Sequence, residues 1–417
     1  MFTSIRGRVL VNVEALNMTE SVGNYVKRRR VPVILPSGGY TAFFVPAISG
    51  ESVAHGFQEI LAKIAADKNL PVCSLCSKGI FLKSTNEEIL KEAFKLNNVP
   101  KSEKDVEKII VTGCVVEDIG GFLYAPKGGG QVKRTSHFST GYMIPVKEAL
   151  EATIIEPQLH SRYALGTPFV KRGREGRQTG QMIYYVEMAS SVYTFGFDLD
   201  TTYIGKATFD ISNSGELLLS NVDERKLRIE TALRAVEKFI LEFMFGAKKT
   251  RFLPVVEWES LVIAVSDDTW TVTSPNTAKY VENSIKKVER YNPNVKLFIY
   301  VNPDVLAGTS QYVEKKTEEL VETMKNVLER WKKNIQDKLP EYADKINWDE
   351  IVKEKLESLI SKRLEEVVES RDLTYISTIQ ENYKKAYEKA QERENVKIYD
   401  DLATCIREAV EEELGRL

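Results

Sequence analysis

Histidine is scarce in this chain, with three in 417 residues, beside four cysteines and four tryptophans. So few imidazoles leave little scope for His-ligated metal centres or for histidine acid–base chemistry. Four cysteines fall short of the disulfide framework of a secreted scaffold. Cys73 and Cys76 form a CxxC, but no second CxxC is present to complete a zinc site, so no metal, cofactor or redox pair is expected. Long apolar runs are also missing: no window approaches about 18 uninterrupted apolar residues. The opening MFTSIRGRVLVNVEALN lacks a signal-peptide pattern, so a cytoplasmic protein without membrane contact is expected. The inventory of enzyme signatures is bare as well. GxxxxGK[ST], HExxH, GxSxG and the Rossmann glycine fingerprint are all absent. A net charge of −2 removes any global attraction to nucleic acid, leaving only local charge segregation.

That segregation is present. Residues 121–180 carry nine Lys and Arg against four Glu, whereas acidic residues prevail from Gln311 onward. With 43% hydrophobic residues and 28% charged, the chain has material for a sizeable core and more than one domain. Residues 4–16 alternate as a strand, with Val9, Val11 and Val13 on one face and Leu10, Asn12 and Glu14 on the other. Next, turn formers Asn17, Ser21, Gly23 and Asn24 stand beside the basic run Lys27, Arg28, Arg29, Arg30, a composition suited to a phosphate-lined loop or to a solvated face. In VPAISGESVAHGFQEILA (45–62), Ser49 caps a helix whose Val53, Phe57, Ile60, Leu61 and Ile64 form a buried stripe. Gly50 admits a close neighbour, and the helix N-terminus is a ready seat for a phosphate, although most such termini hold only water.

Residues 84–106 read as a small helical excursion and 108–125 as a second long strand ending at Gly120 and Gly121. A glycine-rich loop then leads into Lys133, Arg134, Thr135, Ser136 and His137. Residues 159–200 begin and end as strand and are interrupted at 170–180 by a basic arm, VKRGREGRQTG. Residues 224–245 form an amphipathic helix, followed by Gly246, the cations Lys248, Lys249 and Arg251, and an apolar run at 252–265. From about 312 to 394, Glu, Lys, Leu and Ile recur at helical spacing. A short strand at 395–400 and a last helix close the chain. The acid pairs Glu257/Glu259 and Asp267/Asp268 read as solvated loop acids. His55, His137 and His160 are scattered, with His160 beside Ser161 and Arg162 placed to touch RNA rather than to relay protons. A sheet ringed by glycine-rich, cation-bearing loops favours binding over catalysis.

Seven stretches taken together, NMTESVGN with KRRRVPV, VPAISGESVAHGFQ, EDIGGFLYA, KRTS, GYMIP, SSVYTFGFDLD and KKTRFLP, resemble the DevR autoregulator family over roughly residues 5–265. Its members are RAMP-type backbone subunits that bind the crRNA of archaeal type I-A CRISPR Cascade complexes. The resemblance implies an α+β fold: a ferredoxin-like (RRM-like) palm over 1–310, with a finger at about 50–106 and a thumb at about 159–182. Beyond it, the helical insertion at 311–394 departs from shorter family members and its role stays open, and the residues themselves read as a final strand and helix at 395–417 returning to the palm. It implies a non-catalytic protein whose copies polymerise along crRNA and present guide bases to target DNA, with other Cascade subunits and a recruited nuclease-helicase as partners. Carried over by position, Ser21, Asn24, Lys27, Arg28 and Arg30 line the RNA. Ser49, Gly50 and His55 present a helix N-terminus to it, and Arg134, Thr135 and Ser136 support its backbone. The arm with Lys171, Arg172, Arg174, Gln181 and Met182 kinks the RNA, and Lys248, Lys249 and Arg251 form the remaining wall; His160, beside Ser161 and Arg162, is expected as a contact from its neighbours alone. Two alternatives stay open: a metal-independent endoribonuclease of the same superfamily, and a DNA-binding autoregulator.

Overall fold

The computed structural model describes residues 1–36, 39–163, 181–292, 294–305, 326–327, 329–338, 371–391 and 393–417. It begins with β1 (Phe2–Glu14), then the hairpins β2 (Met18–Val22)/β3 (Tyr25–Arg28) and β4 (Arg30–Pro36)/β5 (Tyr40–Pro46). Helices α1 (Gly50–Asp67), α2 (Glu87–Phe94), α3 (Glu103–Gly113) and α4 (Val115–Gly120) follow, then the short strands β6 (Phe122–Tyr124), β7 (Val132–Arg134) and β8 (Phe138–Thr140). Next come β9 (Ile154–Tyr163), β10 (Gln181–Asp200), α5 (Val222–Glu242), β11 (Val255–Ser266), α6 (Tyr280–Tyr291) and β12 (Lys296–Val301). The described chain ends with α7 (Arg371–Gln391), β13 (Val396–Tyr399) and α8 (Leu402–Gly415).

β1 is the axis of a nine-stranded sheet, because β10 and β11 hydrogen-bond to its two edges and most of its residues are buried. The order is β13-β12-β11-β1-β10-β3-β2, with β8 and β9 also on β10. β1 runs antiparallel to β10 and β11, and β9 antiparallel to β10. The β3–β10 and β12–β13 pairs are parallel, so the sheet is mixed and the fold α+β. Ile5, Val9 and Val11 share a core with Phe195, Phe197 and Leu199 of β10 and Leu261, Ile263 and Val265 of β11. The stripes Val53/Phe57/Leu61 of α1, Ile229/Leu233/Phe239 of α5 and Ile406/Val410 of α8 complete it. Phe57 meets Phe138 and Phe197 edge-on at 4.8 and 4.9 Å, locking α1 to the sheet. Thus residues 50–67, expected in a finger, form a core helix.

Of residues 108–125, expected as one strand, only Phe122–Tyr124 is extended, and the part up to Gly120 is helical. Acids Glu103 and Asp105 follow Ser102 in the first turn of α3, and burial of Val106, Ile110 and Val111 follows helical spacing. The β-branched run imitated a strand, and its packing with Leu90, Phe122 and Val132 in a second, smaller core decided for helix. Contacts divide the molecule into two compact units, Met1–Tyr300 with Lys389–Leu417, and Val301–Glu388. The expected thumb residues 164–180, with Lys171, Arg172 and Arg174, lie outside the described residues, as does most of 306–370.

Candidate nucleic-acid interface

Three separate pieces of chain meet at the first half of β10. The first is the β2–β3 hairpin. Tyr25 pairs in register with Tyr185, their rings stack at 5.8 Å, and Asn24 Nδ2 donates to Ile183 O at 3.1 Å. Ser21 and Asn24 are exposed and Lys27 half-buried, its Nζ 3.3 Å from Glu20. The second piece is the turn after α5. Gly246, at φ +84°, lets Ala247 N–H donate to Leu16 O at 2.7 Å. A Cβ at Gly246 would stand 2.7 Å from that same oxygen, so glycine is required. This anchor presents Lys248 and Arg251 to solvent with Lys249 half-buried, and Arg251 donates to the Tyr184 hydroxyl. The third is β9, where the His160 ring stacks on Tyr184 at 5.2 Å and meets Phe252 edge-on at 5.4 Å. Ala15, Val186 and Phe252, with Met18, Val26 and Tyr184 against them, form the apolar floor beneath these groups. Gln181 and Met182 lie in β10 opposite Tyr163 and Arg162.

Other expected contacts are turned inward. The Arg28 guanidinium is fully buried against Glu14, which also accepts from the Tyr193 hydroxyl at 2.8 Å. Arg30 is exposed but donates to Glu187 at 2.7 Å. Arg134 is buried in a charge hub: Asp118 at 2.5 Å, Glu107 at 3.4 Å, and the carbonyls of Tyr203 and Lys206 at 2.8 Å each. Arg228 holds the other Asp118 oxygen at 2.9 Å. A buried guanidinium with such partners does not open to a phosphate without stranding its carboxylates, so Arg28 and Arg134 are structural. Thr135 is exposed, while Ser136 Oγ donates to Phe138 O at 2.7 Å and accepts its N–H at 3.2 Å, closing the turn.

The α1 N-terminus is likewise a packing junction and not the expected phosphate seat. Ser49 is 2% exposed, its Oγ accepts from Ser52 N–H at 3.3 Å, and its own N–H donates to Asn17 Oδ1 at 3.0 Å. A Cβ on Gly50 would lie 2.8 Å from Thr140 O, and exposed Glu51 in the first turn repels anions. His55 points to solvent beside Glu59 at 3.6 Å and Phe81 at 4.9 Å. His137 is half-buried, and burial together with the Arg134 charge pulls its pKa down to about 4. The three imidazoles therefore have three unrelated sets of neighbours. Of the acid pairs, Glu259 is buried against Arg8 at 2.7 Å and Asp268 caps Thr269 N–H at 2.6 Å.

The family model described as CRISPR-associated negative auto-regulator DevR/Csa2 matches residues 5–285. This chain belongs to that family. The DevR/Csa2 match runs from β1 through α6, so it takes in all three pieces gathered at β10, while β12, α7, β13 and α8 lie beyond it. A relative from Saccharolobus solfataricus, "CRISPR-associated protein Cas7/Csa2 1", is 36% identical over 68% of this chain and 85% of its own. Another from that organism, "CRISPR-associated aCascade subunit Cas7/Csa2 2", is 35% identical over 75% of this chain and 96% of its own. A chain of a solved "CRISPR RNA-guided surveillance complex, pre-nicking" overlaps 72% of this chain and 91% of its own at 10% identity, with a TM-score of 0.40 that carries no weight.

Within the DevR/Csa2 segment, Tyr184, which joins His160 to Arg251, is absent from the expected contacts, and Asn17, expected as a turn former, has a linking role. The Asn17 Oδ1 accepts from Arg29 Nε at 2.8 Å as well as from Ser49 N–H, tying the basic run to α1. Tyr184 and Tyr185 on opposite faces of one strand were the available signal, legible once β10 is known to be half exposed. The β4–β5 hairpin likewise has no counterpart among the expected elements. It pairs with no other strand among the described residues, yet Tyr40, Phe44 and Ile34 are 86%, 72% and 68% exposed.

Proposed function

We propose that this chain is a non-catalytic backbone subunit of a type I-A CRISPR Cascade, gripping crRNA through its phosphates and leaving guide bases free to pair with target DNA. The observation that carries the reading is the gathering of Lys248, Lys249, Arg251, His160 and the Ser21–Lys27 hairpin around one end of β10. The aCascade relative supplies the assembly. A phosphate grip is sequence-independent, as it must be where the guide changes from one RNA to the next. A ferredoxin-like palm is supported by the path β1–α1–β9–β10–α5–β11 with sheet order β11-β1-β10-β9, every neighbour antiparallel. Lys171, Arg172, Arg174, Gln181 and Met182 belong to this proposal as the thumb. The exposed apolar side chains of the β4–β5 hairpin suit contact with the next copy along the RNA. Other Cascade subunits and a recruited nuclease-helicase complete the partners, in the cytoplasm.

The test is the nucleic acid that co-purifies. RNA of defined length, released by phenol and lost in a Lys248→Glu/Arg251→Glu variant that still folds, is the expected outcome. Cleavage of repeat RNA that disappears in His160→Ala without loss of binding would establish an endoribonuclease instead. Tighter binding of duplex DNA than of single-stranded RNA at equal salt would establish an autoregulator.

A further inference from the structure

The one CxxC of the sequence acquires partners in the fold. Cys73, in the loop after α1, and Cys76, opening a short 3₁₀ turn, meet Cys114 at the α3–α4 junction and Glu117 in the first turn of α4. One ligand atom from each of the four lies within 4.8 Å of all the others, and all four residues are buried. We propose that Cys73, Cys76, Cys114 and Glu117 bind a single zinc ion, which clips the lobe built on α2 and α3 to the main core.

Geometry selects one ion. Tetrahedral zinc with Zn–S near 2.3 Å and Zn–O near 2.0 Å sets neighbouring ligand atoms about 3.5 to 3.8 Å apart. Cys73 Sγ stands 3.6 Å from Glu117 Oε1. Several irons bridged into a cluster would hold the sulfurs further apart than these spacings allow. Ligand chemistry selects zinc over calcium or magnesium, because thiolates are soft donors and hard cations require oxygen. The backbone is already in the form of a metal knuckle: the Cys76 N–H points at Cys73 Sγ at 3.4 Å with the Leu75 N–H beside it, and Gly79 closes the turn at φ +74°. Such N–H···S contacts neutralise thiolate charge and orient the ligands.

An independent sign is Lys83. Its Nζ is buried, packs against Gly120 at the end of α4, and has no hydrogen-bond acceptor. The four candidate ligands are among the charges that act on it. The chain reaches this position through two consecutive left-handed residues, Lys83 and Ser84, at φ +58° and +48°. An ammonium without an acceptor in a dry interior is costly on its own. Beside three thiolates and a carboxylate around a divalent ion it offsets the negative charge that the metal leaves uncompensated. The placement explains the proposed consequence. Cys73, Cys76 and Cys114 all belong to the main core, and Cys114 directly follows α3, whose Val106, Ile110 and Val111 pack with Leu90 of α2 in the smaller one.

Elemental analysis of the full-length protein, purified without chelator and dialysed, tests this directly. One zinc per chain is expected, released in step with three thiols on titration with p-hydroxymercuribenzoate. Exchange with Co²⁺ should give thiolate-to-cobalt charge transfer and the intense visible bands of a tetrahedral site. Cys114→Ala should lose the metal, and Cys405→Ala, whose thiol is buried in α8, should keep it. If Cys114→Ala does not fold, the coupled thiol and zinc release of the wild type still decides. Metal-free protein with four titratable thiols, a Cys73–Cys76 disulfide by mass spectrometry, or equal zinc loss in Cys405→Ala would overturn the site. Zinc removal that leaves amide exchange across residues 87–113 unchanged would overturn the clip.

Discussion

Arg134, at the end of β7, and Lys248, in the turn after α5, are both cations that the sequence offers as RNA contacts, and they do opposite things. The difference lies in acids remote in sequence: Asp118 and Glu107 close over Arg134, whereas Lys248 faces water. Arg134→Met should therefore cost about 3 to 5 kcal/mol in urea unfolding, the usual penalty for removing one partner of a buried ion pair. RNA retained per folded molecule should not change. Loss of RNA at unchanged stability would return Arg134 to the interface. Gly50→Val meets Thr140 O and should lower stability for the same reason of contact, not of charge. Two titrations oppose one another. His137, at about 4 when folded against 6.5 ordinarily, binds its proton less well in the native state, so its contribution is lost as pH falls from about 6.5 to 4. Burial pushes Glu413 up to about 7, so its contribution is lost as pH rises from 4.5 to 7. In their shared window the two slopes offset. His137→Gln should unmask the second, giving Tm values that fall as pH rises from about 5 to 6.5 while the wild type stays flatter. Parallel curves would exclude this account.

At the scale of elements, legibility tracked how local the signal was. β1, α5 and the closing β13–α8 pair are readable because alternation and a helical stripe are written within a few residues, and in the fold Asn221 and Asp401 cap the two helices. The α3–α4 segment is not, because its apolar β-branched run satisfies either period and distant Leu90 and Val132 decide. The same ambiguity conceals the proposed metal ligands: in a strand Cys114 and Glu117 point to opposite faces, while in a helical turn they share one. Two element-scale experiments follow. If each subunit neutralises about four phosphates, the log–log salt slope for single-stranded RNA is about −3, and Lys248→Ala/Lys249→Ala should flatten it by about 1.4. An unchanged slope would place these lysines away from RNA. Replacing Tyr40 and Phe44 by Ser should shorten RNA-bound assemblies in electron micrographs with no change in Tm, since neither side chain is in the core. Assemblies of normal length would remove the hairpin from the contact.

For the whole molecule, the composite match of short stretches gave the family, and the candidate interface was legible only as a set of turns. Which turns face one another depends on β10. It takes partners from β1, β3, β8 and β9, a neighbourhood assembled from chain between residues 2 and 163 that no window of sequence contains. The fold then sorts cations by depth, with Arg8, Arg28, Arg134 and Arg228 inside and Lys248 and Arg251 outside. Screening acts on the outer set and hardly on the inner. On the proposed function, concentrated salt should accordingly strip nucleic acid from this protein while its tertiary structure stands, so that a guide-free subunit would be reached by washing, without denaturant, and could be reloaded with an RNA of the experimenter's choosing.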